Sequence, residues 1–158
     1  MKFLIQRVTS AEVSVLRDTG LRETVGSIGK GFLVLIGISD SDNTEIADKL
    51  IHKLVNLRIF QDEQGKTNLN IDAVDGSMLL ISQFTLYADC KHGNRPSFTE
   101  AGNPKDAENL YNYIVDKCRE KLEAGETKRI ATGEFGGDMS VSLVNDGPFT
   151  IILDSRDL

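Results

Sequence analysis

Histidine and cysteine are scarce in this 158-residue chain, with two of each, and there are only three prolines. That scarcity removes most conventional catalytic apparatus. No HExxH, no paired cysteines and no ligand cluster at metal spacing occurs, so neither a metal nor another cofactor is expected. A GxSxG elbow and a GK[ST] phosphate loop are equally absent. Cys90 and Cys118 read as free thiols, because the opening Met1–Arg7 lacks the unbroken apolar stretch of an export signal. The expectation is a reduced, cytoplasmic protein. The longest apolar runs, Phe32–Ile38 and Met78–Ile81, fall far short of the ~20 residues of a membrane helix. Basic charge is also in deficit: 24 acidic side chains against 18 basic ones give a net charge of −6 and a pI near 4.9. Such a surface repels a phosphate backbone and disfavours generic nucleic-acid coating, although a local basic groove remains open.

What is present is an ordinary globular mixture, long enough to fold unaided by staples. No composition break, repeat or linker divides it, so residues 1–158 read as one domain. Phe3–Val8 and Glu12–Val15 are short β-rich runs, and Phe32–Ile36 is apolar throughout, as in a strand buried on both faces. Leu57–Phe60, Met78–Phe84, Ser140–Val144 and Phe149–Asp154 read as further strands, with a turn at Asp62–Gly65. Asp42 and Glu45 suggest a capping box ahead of a helix whose apolar face is Ile46, Ala47, Leu50, Ile51, Leu54 and Val55. Asn103 as N-cap and Pro104 at the first helical position open a second, with the stripe Ala107, Leu110, Tyr111, Ile114, Cys118 and Leu122. Cys118 therefore reads as a buried thiol rather than a catalyst. Strands outnumber helices and βαβ repeats are few. The pattern fits an α+β fold: β-rich, barrel-like mixed sheets with two packed helices.

Three segments hold chemistry-bearing residues, each with a plain alternative. Ser82-Gln83-Phe84-Thr85-Leu86 ends an apolar strand with polar side chains, as a site or as a strand emerging into solvent. Asn145-Asp146-Gly147-Pro148-Phe149-Thr150 carries a strong turn signal, either a hairpin or a Gly-Pro peptide in the uncommon cis form. Phe135 sits in the glycine-rich Thr132–Met139 loop, exposed for stacking or folded onto the core. Of the histidines, His52 lies on the first helix and His92 in the Lys91–Arg95 loop. His52 reads as a surface or satisfied helix residue rather than a base, and His92 as solvated, with a phosphate-facing role as its alternative. Gly26–Gly31 reads as a turn, since it leads into a strand.

The start Met1–Val8, the Ser82–Leu86 segment, the Gly133-Glu134-Phe135-Gly136 loop and the Asn145–Thr150 segment together resemble the D-aminoacyl-tRNA deacylase (D-tyrosyl-tRNA deacylase) family from end to end. The resemblance implies a homodimeric, barrel-like hydrolase that needs no cofactor. Its substrates would be D-aminoacyl-tRNA and glycyl-tRNA, cleaved at the ester to the terminal adenosine, with L-aminoacyl esters spared. It assigns catalysis to Gln83, Phe84 and Thr85. Ser82, Phe135, Met139 and Arg7 fall to substrate binding, with Arg7 bracing the Gly-Pro loop. Chiral selection falls to Gly147 and Pro148, joined by a cis peptide and reaching into the partner's pocket. Thr85 is expected to position substrate rather than act as a nucleophile. Gly137 and Phe149 depart from residues common in the family and are expected to adjust packing only. Lys91, His92 and Arg95 form a basic cluster suited to the tRNA acceptor end. Two other classes remain open: an RNA- or peptide-binding module, and an esterase for small D-amino acid esters.

Overall fold

Lys2–Leu16 forms one 15-residue strand, β1, in the computed structural model, which describes residues 1–123 and 129–158. The two short strands expected at Phe3–Val8 and Glu12–Val15 are thus continuous. The exposed Thr9-Ser10 between them is absorbed by register shifts against a neighbouring strand instead of ending the element. After a hairpin loop the chain returns along one edge of β1. First comes β2 (Arg22–Ile28), which the sequence pattern did not reveal, then β3 (Gly31–Gly37); the turn expected over Gly26–Gly31 shrinks to Gly29-Lys30, because Gly26–Ile28 pair with Ala11–Val13 of β1. The other edge of β1 is covered by β8 (Met139–Asp154), a single long strand rather than two.

Two parallel pairings complete the main sheet: β3 with β6 (Ser77–Ser82), and β6 with β7 (Ile130–Thr132). Parallel neighbours need crossovers, and the two helices supply them. Helix α1 (Thr44–Asn56) lies between β3 and β6, and α2 (Pro104–Leu122) between β6 and β7. The ribbon curls so far that Gly26 of β2 meets β7; a Cβ there would stand 2.7 Å from the Thr132 carbonyl oxygen. Only glycine permits that approach, and it gives the mixed sheet its barrel-like closure.

The curl creates two apolar compartments. Phe32, Val34 and Ile36 of β3 face the helices with Phe3, Ile5, Leu50, Leu54, Tyr111 and Ile114. Leu33 points the other way, into the barrel, with Val8, Val13, Leu79 and Ile81. β3 is therefore buried on both faces, as its unbroken hydrophobicity predicts. Cys118 is fully buried on α2.

Local signals were met unevenly. Asn103 caps α2 by accepting from the Lys105 N–H at 3.0 Å, and Pro104 is the first helical residue. The cap of α1 is Asn43, not Asp42: its side chain accepts from Ile46 N–H at 3.0 Å. The Asp42 carboxylate is engaged elsewhere, by the Met1 amino group and by the Ser39 N–H at 2.8 Å. The Leu57–Phe60 strand shrinks to β4 (Phe60–Gln61), which pairs with β5 (Thr67–Leu69) around the expected Asp62–Gly65 turn. The strand expected to reach Phe84 stops at Ser82, where a 3-10 turn over Phe84–Tyr87 takes over.

Candidate active site

The carboxyl ends of the parallel strands β3 and β6 open into a cleft of about 790 Å³. Crevices beyond the carboxyl ends of parallel strands are habitual ligand sites. Ile36 and Ser82 are register partners at that edge, and Ile81, Gln83 and Phe84 continue the wall. The segment leading into α2 supplies Phe98 and Ala101–Pro104, the loop after β7 supplies Phe135–Gly137, and β8 supplies Met139 and Val141. The lining is mostly apolar, and Asp40 is the only ionisable side chain among the described residues that form it. The Asp40 carboxylate accepts from the Asn103 N–H at 2.7 Å.

Five expected site residues therefore converge from distant stretches of chain: Ser82, Gln83 and Phe84 line the same cleft as Phe135 and Met139. Phe135 satisfies both of its alternatives at once. Its ring packs against Tyr111, with centroids 5.9 Å apart, while the residue still lines the cleft. Tyr111 is itself fixed, its hydroxyl donating to the Leu80 carbonyl at 2.8 Å, and burial pushes that phenol's pKa well up. The Phe135 loop is tied to the β1–β2 hairpin by ion pairs Arg17–Glu134 (2.7 Å) and Arg22–Asp138 (3.0 Å), and by the Leu16 N–H donating to the Asp138 carbonyl.

Around Gln83 the backbone changes character. The Gln83 N–H donates to the Ile36 carbonyl at 2.8 Å, and its side-chain amide donates to Thr85 Oγ1 at 2.6 Å. Phe84 and Thr85 then begin the 3-10 turn, where the first N–H groups have no acceptor within the turn. Neither donates to any acceptor among the described residues. Thr85 is exposed and is not part of the cleft lining.

Arg7, Gly147 and Pro148 also lie outside the cleft of their own chain. The Gly147–Pro148 peptide is cis, and both residues are exposed on β8. Arg7 is buried beneath them. It donates through Nε to the Asp146 carbonyl at 3.1 Å, and its guanidinium lies 4.9 Å from the centre of the Phe149 ring. Here Arg7 grips the turn and touches no cleft wall. The basic cluster Lys91, His92 and Arg95 occupies an exposed excursion closed at its base by paired hydrogen bonds between Asp89 and Ser97. The contributions of Asp40, Phe98 and Ala101–Pro104 were not anticipated. Their one sequence signal is Phe98, a lone aromatic in a polar stretch.

Residues 4–154 match the family model described as D-Tyr-tRNA(Tyr) deacylase. The chain belongs to that family. Among curated relatives, a D-aminoacyl-tRNA deacylase of Clostridium novyi (strain NT) is 50% identical over 156 residues, covering 99% of this chain and 98% of the relative. One of Haemophilus influenzae (strain 86-028NP) is 50% identical over 151 residues, covering 96% and 97%. Among solved structures, a c-Myc DNA unwinding element binding protein superposes with a TM-score of 0.87 at 37% identity, covering 98% of each chain. A probable eukaryotic D-amino acid tRNA deacylase superposes at 0.76 with 18% identity, covering 96% of this chain and 97% of that one; it shares the fold. Within the described residues, no helix of this deacylase-family chain is long and apolar enough to cross a membrane.

Proposed function

We propose that this protein hydrolyses the ester between a D-amino acid, or glycine, and the terminal adenosine of tRNA, as a cytoplasmic homodimer that spares L-aminoacyl esters. The observation that carries the reading is the pair of N–H groups of Phe84 and Thr85, unengaged among the described residues, at the rim of a cleft whose described lining has no histidine, lysine or cysteine. An aminoacyl ester is already activated, so its hydrolysis needs a placed water and a stabilised oxyanion more than a side-chain base. Water adds to the ester carbonyl, the oxyanion accepts from the two N–H groups, and the carbon–oxygen bond to the ribose breaks. The proton lost by the water passes to the ribose oxygen, with the vicinal hydroxyl as relay. The Gln83 N–H takes no part, being committed to Ile36.

Thr85 positions rather than attacks. Its Oγ1 accepts from the Gln83 amide, which draws density from the oxygen, whereas nucleophilic activation requires a base that takes its proton. Chiral selection falls to the main-chain carbonyls of Gly147 and Pro148. Backbone atoms exclude an L side chain whatever its identity and still admit glycine. These residues are exposed and away from their own cleft, which supports a role in the cleft of a partner. Phe135 flanks the terminal adenine and Met139 the aminoacyl end. Lys91, His92 and Arg95 meet the acceptor end, a small basic footprint that matches a net charge of −6. A small footprint implies a shallow salt dependence of KM.

The test compares D-tyrosyl-tRNA with the ethyl ester of D-tyrosine at equal concentration. Rapid turnover of the tRNA ester alone supports the proposal. Equal turnover of both identifies a small-ester esterase, and RNA binding without hydrolysis identifies a binding module.

A further inference from the structure

Phe84 poses a mechanical problem. It opens a single 3-10 turn of four residues whose first peptide group is held by one long bond, Leu86 N–H to the Gln83 carbonyl at 3.3 Å, and the residue is 57% exposed. The preceding residue is pinned by Gln83 N–H to Ile36, and the turn closes by Ala88 N–H to the Thr85 carbonyl at 3.0 Å. Between those anchors the Phe84 N–H donates to no acceptor among the described residues, and the main chain holds its peptide only through that long bond to the Gln83 carbonyl. The side chain does have a partner. Its ring meets Phe98 edge to face, with centroids 5.1 Å apart and planes at 73°.

Phe98 is mounted more firmly than its loop position suggests. On its N-terminal side, Asp89 and Ser97 exchange hydrogen bonds of 2.8 and 2.9 Å. On its C-terminal side its own carbonyl accepts from Ala101 N–H at 3.0 Å, and Gly102 N–H reaches the Ile38 carbonyl at 2.9 Å. The segment is thus tied to the chain that follows β3, while one face of Phe98 lines the cleft. Ring and N–H of Phe84 share one Cα, so restraining the ring restrains the N–H.

We propose that Phe98 is a positioning residue that holds the main-chain N–H of Phe84 in its oxyanion-facing orientation. The catalytic part of this rests on the proposed deacylase function; the mechanical part does not. Phe98 also joins the cleft to the excursion whose tip carries Lys91, His92 and Arg95, so docking of the acceptor end there and placement of the oxyanion donor share one rigid mount.

The experiment uses the full chain and the variants Phe98→Leu, Phe98→Tyr, Phe84→Leu and Phe84→Leu/Phe98→Leu. Losing an edge-to-face contact is worth up to about tenfold in rate. Phe98→Leu is expected to lower kcat on D-tyrosyl-tRNA about five- to tenfold at unchanged KM and with only a small fall in Tm, with Phe98→Tyr close to wild type. The double variant should be no slower than Phe84→Leu alone. A purely structural Phe98 would lower Tm and leave kcat in place, and that unchanged kcat overturns the proposal, as would losses that multiply in the double variant. A second measurement needs no turnover. In ¹⁵N–¹H spectra, Phe98→Leu should displace or broaden the Phe84 and Thr85 amide resonances while leaving Ala107 and Ile114 on α2 in place. Unchanged Phe84 and Thr85 resonances overturn the inference whatever the activity. Displaced resonances in a protein that hydrolyses no D-aminoacyl-tRNA uphold the mechanical inference and contradict the proposed function alone.

Discussion

The side chain of Arg7 binds both ends of Asp146: Nε lies 3.1 Å from the Asp146 carbonyl oxygen and 3.1 Å from its carboxylate. The pairing matters because of register. Gln6 pairs with Thr150 and Val8 with Asn145, so the four residues 146–149 stand opposite Arg7 alone. The exposed Gly147-Pro148 peptide is therefore the crest of a large bulge, and Arg7 is the post beneath it.

Arg7→Leu should destabilise the protein by about 1–3 kcal/mol, since it leaves the buried Ile59 carbonyl without its donor and removes the grip on Asp146. Urea unfolding measures the loss. The same variant should hydrolyse D-tyrosyl-tRNA more slowly and reject L-tyrosyl-tRNA less strictly, while Arg7→Lys recovers only part of either property. Wild-type stability in Arg7→Leu would contradict the bracing role.

Gly133→Ala is expected to act on substrate binding more than on folding. A Cβ at Gly133 would stand 2.5 Å from Met139 Sδ and 2.9 Å from Ile81 Cδ1. Methionine yields readily, so its thioether swings within the cleft that Met139 and Ile81 line. KM for D-aminoacyl-tRNA should rise several-fold with little change in Tm, and adding Met139→Ala should relieve part of the increase. An unchanged KM would remove Met139 from the binding site.

The pH dependence of kcat should owe nothing to histidine. His52 and His92 are both exposed and neither lines the cleft. The His52→Ala/His92→Ala variant should keep the wild-type profile of kcat between pH 6 and 9. Any inflection there belongs to the substrate's α-amino group, whose ordinary pKa as a chain terminus is ~7.7–8. Loss of a limb of the profile in the double variant would point to a histidine base and against main-chain catalysis.

The two thiols should separate cleanly. Cys90 is exposed, whereas Cys118 is buried on α2, where burial pushes its pKa up to about 12. At pH 8 a disulfide reagent should modify one thiol per folded chain, and the second only on unfolding. Cys118→Ala should cost about 1 kcal/mol of stability and leave kcat unchanged. Rapid modification of both thiols in the folded protein would contradict the packing of α2.

Most of the architecture was legible because its signals are local or periodic. The unbroken hydrophobicity of Phe32–Ile36 announced a strand buried on both faces, and Asn103-Pro104 marked the start of α2. What escaped depended on partners distant in sequence. Asp42 has the composition of a cap, but the Met1 amino group and Ser39 claim its carboxylate, and Asn43 takes the cap. Asn145–Pro148 has the composition of a hairpin turn. Only the pairing of β8 along the full length of β1 converts it into a bulge over Arg7. In the cleft, Ser82–Phe84, Phe135 and Met139 were each visible as oddities, yet nothing in their spacing brings them together; the curl that sets β2 against β7 does so. Phe98 was overlooked because a single aromatic in a polar loop has no periodicity to read.

The most direct measurement is the deacylation rate of D-tyrosyl-tRNA and L-tyrosyl-tRNA, prepared from the same tRNA and assayed side by side with the purified protein. D-tyrosine should be released rapidly, with L-tyrosyl-tRNA decaying no faster than in buffer. Equal rates for the two would contradict selection by the Gly147-Pro148 main chain, and no hydrolysis of either would contradict the function itself.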